Sequence, residues 1–190
     1  MEGEARKPSE RRLQILQTLA AMLEEPSAEK ITTAALAKRL DVSEAALYRH
    51  FASKAQMYEG LIEFIEQTLF SLITKITNEN SDPMEQVEAI LTMLLGFAKK
   101  NPGMTRVLIG DALVNENPRL QQRINQLIDR LEAQLRQCLR FARAGTDSDV
   151  NPLANLLICF VVGRWHQFAK SGFTRDPGAD FSNQFKIMIS

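Results

Sequence analysis

The sequence predicts an all-α protein with about nine helices, and two observations support this fold class. In almost every segment the apolar residues recur at spacings of three and four, which is the period of an amphipathic helix. No run shows the alternation of β-branched and polar residues between turns that is typical of a strand. Asn-Pro pairs at 101 and 117 mark joints between helices. With 45% hydrophobic residues among 190, the chain can bury a core.

Residues 1–52 are expected to form a first, three-helix domain, and 53–190 a second. A helix over about 9–24 is followed by two short helices over about 33–40 and 43–51, with only Asp41 and Val42 between them. Thr32 or Thr33 caps the first short helix and Ser43 caps the second. Ser53 then caps a long helix that leads out of the first domain and ends near the NENSDP turn at 78–83.

The second domain continues with helices over about 84–100, 103–114 and 118–143. The last of these has a narrow leucine-rich stripe, so we expect it on the surface of a bundle, with a coiled coil as the less favoured alternative. After a loose segment at 144–150, a helix over about 151–168 is apolar nearly all round. Such a helix needs cover on every side, which predicts a homodimer in which this helix, including Leu157 and Val161, meets a second copy, assisted by a last helix over about 180–189.

Composition excludes several classes of protein. The formal net charge is zero, which argues against histone-like binding, but residues 30–54 carry five cations against two carboxylates. The two cysteines are far apart in the sequence, so neither a zinc site nor a disulfide framework is indicated. The longest apolar run, 156–162, is far shorter than a membrane span, and no signal sequence is visible, which favours a cytoplasmic protein. We expect no enzyme, metal or cofactor, because the chain offers two histidines and no assembled catalytic set.

The two short helices fit the pattern of a helix-turn-helix, in which the second helix enters a DNA major groove. Helical spacing turns four residues of that helix outward, namely Glu44, Ala45, Tyr48 and Arg49. The small Ala45 permits close approach, while Tyr48 and Arg49 can reach the groove walls. The same corner occurs in helical proteins that never bind DNA. His50 in particular has an alternative as a buried histidine hydrogen-bonded within the first domain.

The motif ITTAALAKRLDVSEAALYRHFASK at 31–54 resembles the DNA-binding head of the TetR family of bacterial regulators, with its Leu-Tyr-x-His-Phe sequence and a lysine in the next helix. The resemblance implies that the tyrosine, histidine and lysine mostly hold phosphates, which positions the head without specifying sequence. The DNA-facing set that it implies is Thr33, Ser43, Glu44, Ala45, Tyr48, Arg49, His50 and Lys54.

The resemblance extends beyond the head to one branch of that family, the nucleoid occlusion factors, through LIEFIE at 61–66, LLGFAKKNPGMTRVLIG at 94–110 and LQQRINQLIDRLEAQLRQCLR at 120–140. It implies a nucleoid-associated homodimer that binds palindromic chromosomal sites, with one or more dimers per site. It also implies antagonism of polymers of the division protein FtsZ. The residues expected to contact the FtsZ C-terminal tail, in a groove between the fourth and fifth helices, are Phe64, Met93, Gly96, Lys100 and Asn101.

Two features of this partner site have more than one explanation. Gly96 in mid-helix suits the close approach of a partner, but from the sequence alone tight packing between two helices of the same chain is the preferred explanation. Leu72 stands where the resemblance leads us to expect a basic residue, and Lys75, one turn later, is a possible substitute.

A ligand-responsive transcriptional repressor is the competing interpretation, since members of the TetR family commonly bind small molecules that release DNA. The inner cavity that this function requires would be built from residues such as Met104, Trp165, His166 and Phe168.

Overall fold

The computed structural model of the chain describes residues 8–25, 31–142 and 149–190, and within these ranges it contains nine α-helices and no strand. The all-α prediction is confirmed. No helix in the described ranges is both long enough and apolar enough to cross a membrane. Most of the predicted loose segment at 144–150 lies outside the described residues. The helices are α1 (Pro8–Glu24), α2 (Thr33–Arg39), α3 (Glu44–Tyr48), α4 (Lys54–Glu79), α5 (Pro83–Lys100), α6 (Pro102–Leu108), α7 (Pro118–Ala142), α8 (Val150–Lys170) and α9 (Phe181–Ile189).

Side-chain caps fix the starts of α2, α3 and α4. Thr32, rather than Thr33, accepts the amide hydrogen bond of Ala35 at 3.1 Å, and Ser43 and Ser53 cap the next two helices in the same way. Between α2 and α3 the chain turns at Asp41, whose φ of 54° lies in the left-handed region. The N-terminus of each helix of the helix-turn-helix is therefore set by its own local sequence.

The third helix is shorter than predicted, because it ends at Tyr48 and not near Phe51. The amide of His50 bonds back three residues to Leu47 at 2.9 Å, which tightens the last turn. Phe51 remains buried at 1% exposure and closes the corner that leads into α4.

The long helix α4 runs from the head, formed by α1, α2 and α3, into the middle of the body, formed by α4 to α9. It packs against α1, α5, α6 and α7, and its inward stripe from Met57 to Ile73 is at most 2% exposed. The head also contacts the body through α1 and α6, where a Cβ added to Gly103 would lie 2.0 Å from the carbonyl oxygen of Ala20. Head and body therefore share one continuous core.

The helix predicted over 103–114 ends earlier, at Leu108. Gly110 has a φ of 78°, a left-handed conformation that stops the helix and starts a single 3₁₀ turn at Asp111–Leu113. The turn exposes Val114 and brings Glu116 back towards the start of α4.

The leucine stripe of α7 packs into its own chain, against α4, α5 and α8. Leu120, Leu127 and Leu135 are each at most 1% exposed. The structure therefore agrees with a bundle helix, the favoured interpretation, rather than with a coiled coil between chains.

The prediction that Leu157 and Val161 lie in a dimer interface is wrong. Both side chains are fully buried within their own chain, because α8 packs this face against α5, α6 and α7. The opposite face carries Leu156, which is 50% exposed, together with Cys159 and Gly163. Composition alone could not tell which apolar face of α8 turns towards its own chain.

The middle of the outer face of α8 carries Leu156, Cys159 and Gly163, which are small or apolar, so the expected homodimer should use this face in place of the buried one. A Cβ added to Gly163 would meet no atom within 4 Å outside the backbone of its helix, among the residues that the structure describes. We expect Gly163→Arg to give a folded monomer, since the charge would be trapped unpaired between two copies. Sedimentation with circular dichroism measures this.

Gly163→Ala is the matched control and should remain dimeric. Val161→Arg should instead unfold the chain, because its charge enters the core of the single chain. A stable wild-type monomer at micromolar concentration would contradict the dimer.

Candidate DNA- and partner-binding surfaces

The outer face of α3 is exposed as the spacing predicted. Ser43, Glu44, Ala45, Tyr48 and Arg49 are all exposed to solvent, and Tyr48 is 45% exposed. The buried side of the same helix is formed by Leu47. A short helix that exposes a small residue, here Ala45, in its first turn has the shape required to enter a major groove.

A polar cluster connects this face to the start of α2. The hydroxyl of Thr33 donates to the Glu44 carboxylate at 2.6 Å, and the Tyr48 hydroxyl donates to Thr33 Oγ1 at 3.4 Å. Because all three side chains are at the surface, these bonds position groups that DNA can also contact. The structure thus brings together three of the residues that the sequence assigned to the DNA-facing set.

His50 is half-buried at the end of this face. Its backbone carbonyl accepts a hydrogen bond from Arg12 Nη1 at 2.5 Å, and the same guanidinium lies 4.1 Å from the centroid of the Phe51 ring. Arg12 therefore ties α1 to the corner between α3 and α4. Sequence reasoning missed this arginine, because its position in α1 shows no motif and its partner is 38 residues away.

Lys54 does not project freely into solvent. Its ammonium forms an ion pair with Glu116 at 2.5 Å, with the two side chains only 22% and 10% exposed. Nearby, burial and the negative charge of Glu116 raise the pKa of Tyr58 to about 12, against an opposing effect of Arg106. Lys54 Nζ also lies 5.7 Å from the centroid of the Tyr58 ring. The residue assigned to a phosphate is thus held by a carboxylate of the body.

Five residues were assigned to the partner site on α4 and α5, and the structure gives them different roles. Phe64 and Met93 are half-buried and pack against the core, and Lys100 is exposed. Asn101 is half-buried, and its side-chain amide donates to the carbonyl of Phe97 at 2.8 Å, which caps the end of α5. Asn101 thus has a structural role of its own at the joint between α5 and α6.

Gly96 is not explained by tight packing within the chain, so that alternative is wrong. A Cβ added there would meet no atom within 4 Å outside the backbone of its helix, among the described residues. Gly96 borders a depression of about 260 Å³ between α5 and the connection from α8 to α9. The sequence had placed it only in a groove between α4 and α5.

Leu72, where a basic residue was expected, is 37% exposed on α4. Lys75 is exposed one turn later, and its ammonium lies 3.8 Å from the carboxylate of Glu79. An exposed pair of this kind contributes little energy, so Lys75 remains available to a partner.

The cavity expected for a ligand-responsive repressor is not formed by the residues assigned to it. Met104, Trp165 and Phe168 are packed into the core, and the indole of Trp165 donates to the carbonyl of Leu94 at 3.1 Å. His166 is exposed on the other face of α8, beside a separate cavity of about 330 Å³ between α7 and α8. Helical spacing alone separates residues 165 and 166 by about 100° around the axis.

Comparisons with known proteins assign both parts of the chain. A family model described as "Bacterial regulatory proteins, tetR family" matches residues 15–61, and the SlmA-like model described as "Tetracyclin repressor-like, C-terminal domain" matches residues 81–190. The nucleoid occlusion factor SlmA of Alteromonas mediterranea is 54% identical over 94% of each chain. The SlmA proteins of Marinomonas sp. and Idiomarina loihiensis are 48% and 47% identical, over 96% and 97% of this chain and 94% and 96% of their own. The chain belongs to the SlmA family of nucleoid occlusion factors.

Solved structures show that this SlmA family member has the TetR-type fold. The fatty acid degradation regulator FadR of Bacillus halodurans matches with a TM-score of 0.78 at 14% identity, over 98% of this chain and 97% of its own. A TetR-family regulator from Agrobacterium tumefaciens gives 0.77 at 16% identity, over 96% and 98%. FadR from Bacillus subtilis, solved in complex with stearoyl-CoA, gives 0.74 at 14% identity, over 94% and 97%. At these identities the likeness concerns the fold alone.

The ion pair between Lys54 and Glu116 leads to a prediction for the SlmA family head. If a DNA phosphate competes with Glu116 for the ammonium, Glu116→Gln should tighten DNA binding by up to about tenfold at low salt. The salt dependence of Glu116→Gln should stay close to that of wild type, because Lys54 neutralises only one phosphate in either protein, whereas Lys54→Ala should flatten it by about one phosphate equivalent. A titration series over salt concentration measures both slopes.

The double variant Lys54→Ala/Glu116→Gln is the control. There the glutamine should have no further effect, because its action requires the lysine. Weaker DNA binding by Glu116→Gln alone would show that the carboxylate positions Lys54 for DNA and does not compete with it.

Proposed function

We propose that this SlmA family member binds palindromic chromosomal sites as a homodimer and, from the nucleoid, antagonises FtsZ polymers through the surface around Gly96. The observation that carries the partner half of the proposal is Gly96 itself. A glycine in mid-helix costs about 1 kcal/mol relative to alanine. Nothing packed against it in the described chain requires that cost. Close approach of another molecule is therefore the physical reason that fits.

The DNA half of the proposal uses the exposed face of α3. Ala45 permits the helix to approach the groove floor, while Tyr48 and Arg49 reach the walls. Ser43 and Thr33 stand at the starts of α3 and α2, where free backbone amides and the helix dipole favour phosphate oxygens. A dimer with a two-fold axis presents two such heads, which suits a palindrome with one or more dimers per site.

Glu44 and His50 complete the proposed DNA face. Glu44 is exposed on the first turn of α3 and accepts a hydrogen bond from Thr33, which supports a role in accepting a hydrogen bond from a cytosine amino group in the major groove. His50 lies where α3 ends, half-buried, with Lys54 one short turn further on at the start of α4. Both basic positions are close to where the DNA backbone would pass.

The partner half combines apolar and cationic groups on two neighbouring helices. Phe64 on α4 and Met93 on α5 are partly exposed apolar side chains, and Lys100 provides an exposed charge where α5 ends at Asn101. Residues 93, 96 and 100 follow one row along the helix, so Gly96 leaves a flat step between Met93 and Lys100. This pattern suits an extended peptide that is part apolar and part acidic, as proposed for the FtsZ tail.

One helix joins the two halves. Phe64 follows Lys54 by ten residues on α4, a separation of about 15 Å along the axis. A shift of the heads on DNA would therefore act on the same rigid element that carries the partner surface. This shared helix predicts that DNA binding changes the affinity for the partner.

We expect Gly96→Asp to abolish the effect on FtsZ polymers while DNA affinity stays within about twofold of wild type, since the new carboxylate repels an acidic peptide far from the head. The measurement is polymer disassembly by wild type and variant, with and without operator DNA, beside a DNA titration. Gly96→Ala is the matched control, because it adds bulk and stiffens the helix without adding charge.

Comparing Gly96→Asp with wild type separates the possible outcomes. Equal polymer disassembly by Gly96→Asp and wild type would remove this surface as the partner site. Indifference of the wild type to FtsZ under all conditions would refute the partner half of the proposed function.

A further inference from the structure

The depression beside Gly96 has features that none of the residues assigned so far accounts for. Its floor and one side come from α5, and the opposite side comes from the connection between α8 and α9 and from the start of α9. A salt bridge spans the two sides, with Lys99 Nζ 2.6 Å from the Asp176 carboxylate. The lining residues are Thr92, Leu95, Gly96, Lys99, Asp176, Gly178 and Phe181.

The wall on the α8–α9 side is preorganised. Arg164 on α8 donates to the backbone carbonyls of Asp176, Pro177 and Ala179 at 3.1, 2.8 and 2.8 Å. The amide of Gly178 donates to Asp176 Oδ1 at 2.9 Å, which closes the turn. The turn is therefore held in shape without the help of Lys99.

The two charged residues that line the depression, Lys99 and Asp176, balance each other, and exposed charges of both signs neighbour them in the sequence, Asp180 among them. Lys99, Lys100 and Arg175 are exposed cations, and Arg164 bonds here to neutral carbonyl groups. The hydrogen bond from Lys99, followed by the one from Gly178, holds the pKa of Asp176 below its usual value. Asp176 is thus an anion at neutral pH. It already forms an ion pair with Lys99, the residue with which an incoming carboxylate would pair.

Two rows of side chains cross at Gly96. One row joins Met93, Gly96 and Lys100, and the other joins Thr92, Gly96 and Lys99, by spacings of three and four. A peptide lying on the first row can pass over the bare backbone of Gly96 into the depression. With a side chain at 96 the two rows would be separated by a ridge.

We propose that this depression is the second half of the partner site, that it takes an acidic residue of the peptide, and that Asp176 is an internal carboxylate which this residue displaces from Lys99. The inference rests on the proposed function, since the peptide is the acidic, partly apolar partner described there. It adds a surface from the α8–α9 connection to a site assigned to α4 and α5. Asp176 then sets the affinity, because every binding event must break its bond to Lys99.

The test is the affinity of the full-length protein for a synthetic peptide of the FtsZ C-terminal tail, measured by fluorescence anisotropy at low salt. Asp176→Asn should tighten binding about two- to fivefold, the range expected when an exposed ionic competitor is removed. Asparagine keeps Oδ1 as the acceptor for Gly178, so the turn should hold and the melting temperature should stay near that of wild type. Lys99→Ala should weaken binding by a similar factor.

The matched control is Glu25→Gln, which removes one carboxylate from an exposed ion pair with Arg39 in the head. It changes the net charge equally and should leave the peptide affinity unchanged. The gain from Asp176→Asn should also shrink as salt is raised, because exposed charges are screened.

The outcomes separate the inference from the proposed function. If wild type binds the peptide and Asp176→Asn behaves like Glu25→Gln or binds more weakly, the depression is not part of the site. If Lys99→Ala binds as wild type does, the inference likewise fails, whatever the asparagine variant does. If wild type does not bind the peptide at all, the proposed function fails and the inference fails with it.

Discussion

The position of α4 is the constraint on which the two surfaces depend. Its inward stripe is sealed in the core, and arginines of α7 hold its outer flank: Arg119 binds Glu59 at 2.7 Å, and both Arg123 and Arg130 bind Glu66. Arg130 also lies 4.3 Å from the centroid of the Phe70 ring. The Glu66 side chain is only 17% exposed, so losing its arginines would leave a largely buried carboxylate unpaired. Since apolar burial and ion pairing act along the same helix, any movement of α4 has to carry α7 with it.

A helix held in this way can transmit a displacement from one end to the other. At its start, Lys54 is bound to Glu116 in the turn that leads into α7, so the proposed DNA contact and the helix that clamps α4 are directly linked. Further along, α4 carries Phe64 and packs against α5, the helix that contains Gly96. A second set of polar bonds runs from the head to α8: Arg106 binds the carbonyl of Leu23 at 3.1 Å and Asp111 at 2.9 Å, and Asp111 also pairs with Lys170. Burial opposes ionisation of Asp111, but its bonds to Lys170 and Arg106 outweigh it and lower the pKa of that carboxyl.

The fold could be predicted from local signals because each signal has a local cause. The caps at Ser43 and Ser53, the proline joints and the three-four spacing act within a few residues, and the structure confirms them.

The failed predictions have a different origin. The end of α6 depended on the left-handed conformation of Gly110, and the buried face of α8 depended on which of two apolar faces meets α5 and α7. The partners of Lys54 and Lys99 are 62 and 77 residues away, so no spacing could reveal Glu116 or Asp176. For Gly96, the sequence left two explanations open, and only the empty space around it removed one of them.

The central claim is that DNA and partner act on one rigid element, and reciprocal binding measurements test it most directly. Calorimetry would give the affinity of the FtsZ tail peptide for the wild-type protein with and without saturating operator DNA, and the affinity for operator with and without saturating peptide. If the two sites are coupled, each ligand must change the affinity of the other by the same factor, expected to be about 5- to 150-fold. Identical peptide affinities in the free and DNA-bound protein would contradict the account, because α4 would then join the two sites without coupling them.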